Sequence, residues 1–91
     1  MSTERSVFTV SEITRRIKLL LEGGFPSIIV QGEVSNLRRH TSGHIYLTLK
    51  DEGAQLAAVI WRSRAATLNL VPEDGMKVVA SGRVIVPLSF R

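Results

Sequence analysis

The stretch His44-Ile45-Tyr46-Leu47-Thr48-Leu49-Lys50 alternates without a break between aliphatic side chains and aromatic, polar or charged ones. Successive side chains of a strand leave on opposite faces, so Ile45, Leu47 and Leu49 point to a core while His44, Tyr46, Thr48 and Lys50 share the other side. Asp51-Glu52-Gly53 then reads as a turn, and Gln55 to Trp61 as a further, more uniformly apolar strand. Upstream, after Pro26, Ile28, Val30 and Val34 share one face of a long strand, with Gly32 between them where a bend or bulge is expected.

Further out, Thr9 with Glu12 three residues later has the form of a capping box. Val10, Ile13, Ile17, Leu20 and Leu21 recur at helical spacing, and Gly23-Gly24 offers a left-handed exit, so residues 10–22 read as an amphipathic helix with an apolar core face. Arg15, Arg16 and Lys18 lie on its other side, where solvated charge is the plainer reading than contact with nucleic acid. On the far side of the meander, Arg62 to Leu70 reads as a short helix, Pro72-Glu73-Asp74-Gly75 as a turn, and Met76 to Val86 as a fourth strand. This order is that of a mainly β Greek-key barrel, the OB fold, preceded by an N-terminal helix and ending before or within its fifth strand. An SH3-like barrel or an α+β sandwich is the alternative. The expected organisation is a tail over 1–9, the helix over 10–22 and one OB-fold unit over 26–91, as a fragment of a longer chain.

Composition narrows the function classes. With 91 residues, 44% hydrophobic and 22% charged, there is material for one core. The longest apolar run, Leu56 to Trp61, falls far short of the roughly 18 residues that cross a bilayer, and the N-terminus lacks the apolar stretch of a secretory signal, so a cytoplasmic protein without a membrane partner is expected. The absence of cysteine excludes disulfides, thiolate nucleophiles and cysteine-based zinc sites. Twelve Lys and Arg against eight Asp and Glu leave a net charge of +4. Its layout says more than its size: no acid interrupts the bases and histidines between Ser35 and Lys50, nor the bases from Lys77 to Arg91.

The segment Asn36-Leu37-Arg38-Arg39-His40-Thr41-Ser42-Gly43 reads as a loop carrying two guanidinium forks, hydroxyls and a glycine that admits close backbone approach, all suited to phosphate. By composition alone, a solvated hairpin loop is an equal reading. The row His44, Tyr46, Thr48 and Lys50 favours the first, because it supplies an aromatic platform and a cation on the face where OB domains stack bases. Trp61 either extends that platform or is buried in the core, burial being the commoner fate of an indole. Arg62, Arg64, Lys77 and Arg83 are further candidates to line the groove. His40 and His44 form the only pair that could act in acid/base or metal chemistry, and no third ligand or orienting carboxylate stands at a telling spacing. No catalytic residue, metal or cofactor is therefore assigned.

Several blocks together match something specific. Val10-Ser11-Glu12-Ile13, Arg16-Ile17-Lys18, Gly32-Glu33-Val34-Ser35-Asn36-Leu37, Ser42-Gly43-His44 through Asp51, Pro72-Glu73-Asp74-Gly75-Met76 and Gly82-Arg83-Val84 strongly resemble, in order and spacing, the N-terminal domain of the exodeoxyribonuclease VII large-subunit family. The resemblance implies an OB-fold domain holding single-stranded DNA for exonucleolytic degradation to short oligonucleotides by a later domain, with small subunits joined through a region outside these residues. It also implies DNA contact at Ser42, His44, Tyr46 and Lys50, and at Arg38 and Arg39. A module that docks an acidic protein partner is the alternative function. After Val86 the chain departs from the family pattern, reading Pro87-Leu88-Ser89-Phe90-Arg91 in place of a Pro-Arg-Gly turn with a tyrosine. Unpaired strand edges and the apolar residues around 84–91 lead to the expectation of a homodimer through the C-terminal strand.

Overall fold

A computed structural model of the chain describes residues 7–86. They fall into two compact units, residues 7–29 with 81–86, and Val30–Ala80.

In the first unit, helix α1 spans Val10–Gly24. Thr9 caps it, its hydroxyl oxygen accepting the Glu12 N–H at 3.1 Å. The return leg of a capping box is not made, because the Glu12 carboxylate accepts the Thr9 hydroxyl itself, also at 3.1 Å. The helix runs two residues past the expected end, and no left-handed glycine closes it. Instead Phe25 donates its N–H to the Leu21 carbonyl and leaves the helical region, as a residue before proline must. The row expected to face a core stays exposed, Val10 at 82% and Leu20 at 75%, and no α1 residue is buried. At the helix end Lys18 pairs with Glu22 at 2.7 Å, while the Glu22 carboxylate accepts the Val86 N–H at 2.9 Å. The Lys18 ammonium first, then the Val86 N–H, hold the Glu22 carboxyl below the usual carboxylate range. Near the start, the Arg16 guanidinium lies 5.1 Å from the centre of the Phe8 ring.

The sheet has the order β3-β2-β1-β4, formed by β1 (Ile28–Arg39), β2 (Ile45–Lys50), β3 (Gln55–Ile60) and β4 (Lys77–Gly82). β2 pairs antiparallel with both neighbours. The alternation in β2 is realised as read: Ile45, Leu47 and Leu49 are buried at 5%, 6% and 7% exposure, and with Val34 at 1% they make the core of the second unit. Val30, Leu37, Ala58, Ile60, Met76 and Val78 pack around them. Each buried aliphatic side chain contributes about 1.5–3 kcal/mol of transfer free energy.

The irregularity in β1 is at Asn36 rather than Gly32. The register with β2 slips between Ser35 and Arg38, and Asn36 takes φ +53°, a conformation asparagine tolerates better than most residues. The bulge leaves the Leu37 N–H outside the ladder, and Asp74 of the Pro72–Gly75 turn accepts it at 2.8 Å. Gly32 serves a close approach instead, since a Cβ there would lie 3.2 Å from the Lys50 carbonyl oxygen. Beyond the bulge the strand continues, so Arg38 and Arg39, expected in a loop, pair with Tyr46 and Ile45 as strand residues. The connection left over is a tight turn in which Gly43 donates to the His40 carbonyl at 2.9 Å and takes φ +94°.

Asp51 closes the next turn by accepting the N–H groups of Gly53 and Ala54 at 2.9 and 3.0 Å. Helix α2 is a single turn, Arg62–Ala65, shorter than the expected 62–70. Thr67 and Asn69 are weak helix formers, and Pro72 drives Val71 to extended backbone. β4 likewise stops at Gly82, short of Val86, because the Val84 N–H turns to the Phe25 carbonyl at 3.2 Å and that of Val86 to Glu22. Of residues 84–91, around which the strand-mediated dimer is expected, 87–91 lie outside the described residues, as does any fifth strand they begin. No helix among the described residues is long and apolar enough to cross a membrane.

Candidate nucleic-acid interface

The bulge and the tight turn together decide where the basic side chains of the second unit emerge. They keep Arg38 and Arg39 in the ladder next to β2, Arg38 opposite Tyr46 and Arg39 opposite Ile45. Arg38, Arg39, His40 and Tyr46 line one open groove of about 310 Å³. Tyr46 is 37% exposed, and the His40 ring meets it edge-on with centroids 6.2 Å apart, limiting its sideways freedom. Neither arginine pairs with a carboxylate among the described residues. A groove lined by an exposed aromatic ring and two arginines without ion-pair partners can stack a base and hold its adjoining phosphates.

A second constellation ties the β1–β2 turn to the start of α2. The Arg62 N–H donates to His44 Nδ1 at 2.8 Å, which puts the proton of the neutral imidazole on Nε2. The His44 ring meets the Trp61 indole edge-on at 5.3 Å between centroids. Trp61 is 45% exposed, so it is not the core residue that the commoner fate of an indole suggested. Gly43 makes room for the Arg62 stem: a Cβ there would lie 2.9 Å from Arg62 Cγ and 3.1 Å from Cδ. Between this staple and the chain after α2 is a second cavity of about 380 Å³, lined by Arg39, His40 and Arg62 and by apolar groups including Leu68, Val71 and Pro72.

The candidate residues are thus sorted. Arg38, Arg39 and Tyr46 converge on the first groove, and Arg39 and Arg62 on the second cavity. Ser42 turns inward to the loop: its hydroxyl lies 2.8 Å from His40 Nδ1, which also accepts the Ser42 N–H at 3.0 Å. His44 adjoins Arg62 rather than Tyr46. Lys50 stands at the opposite end of β2, four residues or about 13 Å from Tyr46, and approaches Glu33 at 3.7 Å. Arg64 lines neither cavity. His40 and His44 each use Nδ1 to accept a backbone N–H, from Ser42 and Arg62 respectively. No group of three or more potential metal ligands occurs among the described residues. His40, read as part of the phosphate-suited loop and as a candidate for acid/base or metal chemistry, is a wall of the Tyr46 groove. Leu68, read as part of a helix, and Val71, just beyond it, carried no signal of a cavity wall.

A bulged first strand, a three-strand meander and a short helix before the last described strand, with a basic groove beside an exposed tyrosine on β2, define a class of nucleic-acid-binding β domains. Residues 8–86 match the OB-fold nucleic acid binding domain, and the chain belongs to that family. More particularly, it is 53% identical over 78 residues to the exodeoxyribonuclease 7 large subunit of Chlorobaculum tepidum, covering 86% of this chain and 20% of that protein. It is 46% identical over 82 residues to the same subunit of Thioalkalivibrio sulfidiphilus, covering 90% and 18%. For that of Geobacter metallireducens the identity is 46% over 83 residues, covering 91% and 18%. The chain spans about a fifth of the length of these relatives.

Proposed function

We propose that this chain holds single-stranded DNA as the OB-fold domain of an exodeoxyribonuclease VII large subunit, presenting the strand for exonucleolytic cleavage by residues outside it. The observation that carries the reading is the convergence of Arg38, Arg39 and Tyr46 on one open groove. Tyr46 stacks a base there, and the two guanidinium groups take the adjoining phosphates. His44, through Nε2, and Arg62 extend the surface on one side, with Ser42 shaping the turn between them. Lys50 and Arg64 are outlying cations that a longer strand reaches. Small subunits of the complex join through regions outside this chain.

Fluorescence anisotropy with single-stranded and duplex oligonucleotides at two salt concentrations tests this. The expected result is preference for the single strand and a loss of affinity with salt, each phosphate contact adding about 0.7 to the logarithmic slope. Equal affinity for duplex, or binding indifferent to salt, rejects the proposal and turns the same basic surface into a docking site for an acidic protein.

A further inference from the structure

The 380 Å³ cavity beside α2 is separate from the Tyr46 groove, yet the two share a wall made by Arg39 and His40. Its chemistry is also different. Where the groove offers an aromatic ring, the cavity offers aliphatic surface from Leu68, Val71 and Pro72, and no carboxylate lines it. Two arginines, Arg39 and Arg62, line it, and neither forms an ion pair among the described residues. The Arg62 position is built: its backbone N–H is held by His44 Nδ1, and its stem occupies the space that a side chain at residue 43 would fill. An apolar wall in a cavity also lined by two arginines without ion-pair partners suits a ligand with a flat, weakly polar part and an anionic part. The volume lies near the lower end of the roughly 300–1,000 Å³ range of small-molecule sites, enough for one nucleotide unit.

We propose that this cavity is a second subsite, which takes a single unstacked nucleotide next to the one on Tyr46. Its base lies against Leu68, Val71 and Pro72, and its phosphate bridges Arg39 and Arg62. The inference rests on the reading of the Tyr46 groove as a single-strand site, because the shared Arg39–His40 wall is what lets one strand enter both. A strand crossing that wall turns its base away from the stack. The pair of subsites therefore selects for chain flexible enough to unstack, a property duplex lacks.

The test uses the isotope-labelled chain, titrated first with thymidine monophosphate and then with a short oligothymidylate. The expected result is a set of amide shifts at Ala66, Leu68 and Val71 with both ligands, and at Tyr46 with the oligonucleotide. Ala66 also lines the cavity and is exposed, so Ala66→Met fills the space from the rim. Ala66→Met should weaken oligonucleotide binding about three- to tenfold without changing its salt slope, whereas Arg62→Gln should weaken it and lower the slope by about 0.7. If the oligonucleotide shifts Tyr46 but not Leu68 or Val71, and both folded variants bind as the native chain does, the second subsite is refuted while the first stands. Absence of shifts at Tyr46 and at the cavity alike refutes both readings. If Ala66→Met fails to fold, the amide shifts in the native chain decide.

Discussion

Gly43→Ala perturbs the turn beside the proposed site in two separable ways. The residue has φ +94°, so any side chain there carries the left-handed penalty of about 1–2 kcal/mol. The new Cβ also arrives 2.9 Å from Arg62 Cγ, closer than carbon atoms tolerate, and the Arg62 stem must leave its position or adopt a strained rotamer at about 0.5–1.5 kcal/mol. Together the loss is roughly 1.5–3.5 kcal/mol, well measurable against the 5–15 kcal/mol typical of a domain, which stays folded. Gly75 is the internal control. It has φ +92° but nothing within 4 Å of its Cβ position, so Gly75→Ala carries the backbone penalty alone. The unfolded-state entropy gained on replacing glycine is the same at both sites and cancels in the comparison. Urea unfolding followed by the fluorescence of Trp61, the single tryptophan, should therefore place Gly43→Ala about 1 kcal/mol below Gly75→Ala. Adding Arg62→Ala should close that gap, because the Arg62 Cβ itself lies at an ordinary 3.4 Å. Equal losses at the two glycines, or a gap that Arg62→Ala leaves open, would show that the Arg62 stem does not depend on the bare Gly43 backbone.

Three further outcomes are expected. Tyr46→Ala should cost about 1–3 kcal/mol of single-strand affinity with an unchanged salt slope, whereas Arg38→Gln with Arg39→Gln should flatten the slope; identical salt behaviour of the two variants contradicts the division between stacking and phosphate contact. Asp74→Ala strips the bulge of the acceptor for Leu37 N–H and should destabilise the second unit by about 1 kcal/mol, with Asp74→Asn recovering most of it, as read by chemical denaturation. The folded-state pKa of Glu22 is lowered, so its tie to Lys18 and Val86 contributes fully above the ordinary glutamate value near 4.3 and is lost as pH falls through the folded value. The Val86 amide shift should follow that titration, and in Glu22→Gln it should not.

What was legible in the sequence was what a period can encode. The seven residues from His44 to Lys50 alternate because one face is buried and the other is not, and Ile45, Leu47 and Leu49 sit where that pattern puts them. What was illegible depended on competition between local choices. Gly32 and Asn36 both permit a bend in β1, and the bend falls at Asn36, where Asp74 is on hand to accept the freed Leu37 N–H, 37 residues away in sequence. The end of α1 was misread for a similar reason: two glycines suggested a left-handed exit, but Pro26 already forbids helix at Phe25, so the glycines are never called upon. The apolar stripe of α1 shows the limit of periodicity from the other side. It specifies a helix correctly and says nothing about whether the described chain contains the surface that would cover it.

The block Ser42-Gly43-His44 shows how site and scaffold share residues. Reading it as a row of DNA contacts treats its polar atoms as free, and in the fold most of them are engaged. Ser42 turns its hydroxyl to His40, Gly43 yields space to the Arg62 stem, and His44 Nδ1 accepts the Arg62 N–H. The block thus fixes the two residues that stand over the cavities, the His40 ring against Tyr46 and Arg62 beside Trp61, and each long arginine next to it projects from an ordered backbone. Pre-organisation of this kind reduces the conformational entropy that binding must otherwise remove, an effect of about 0.5–1.5 kcal/mol for each long side chain held in place. On this argument, replacing Ser42 or His44 acts first on the geometry of Arg62 and Tyr46. His44→Asn retains a side-chain acceptor near the Arg62 N–H and should preserve more affinity than His44→Phe, which keeps the ring edge against Trp61 but leaves that N–H unpartnered. The opposite order, with His44→Phe the better binder, would assign the residue's value to its ring rather than to its hydrogen bond.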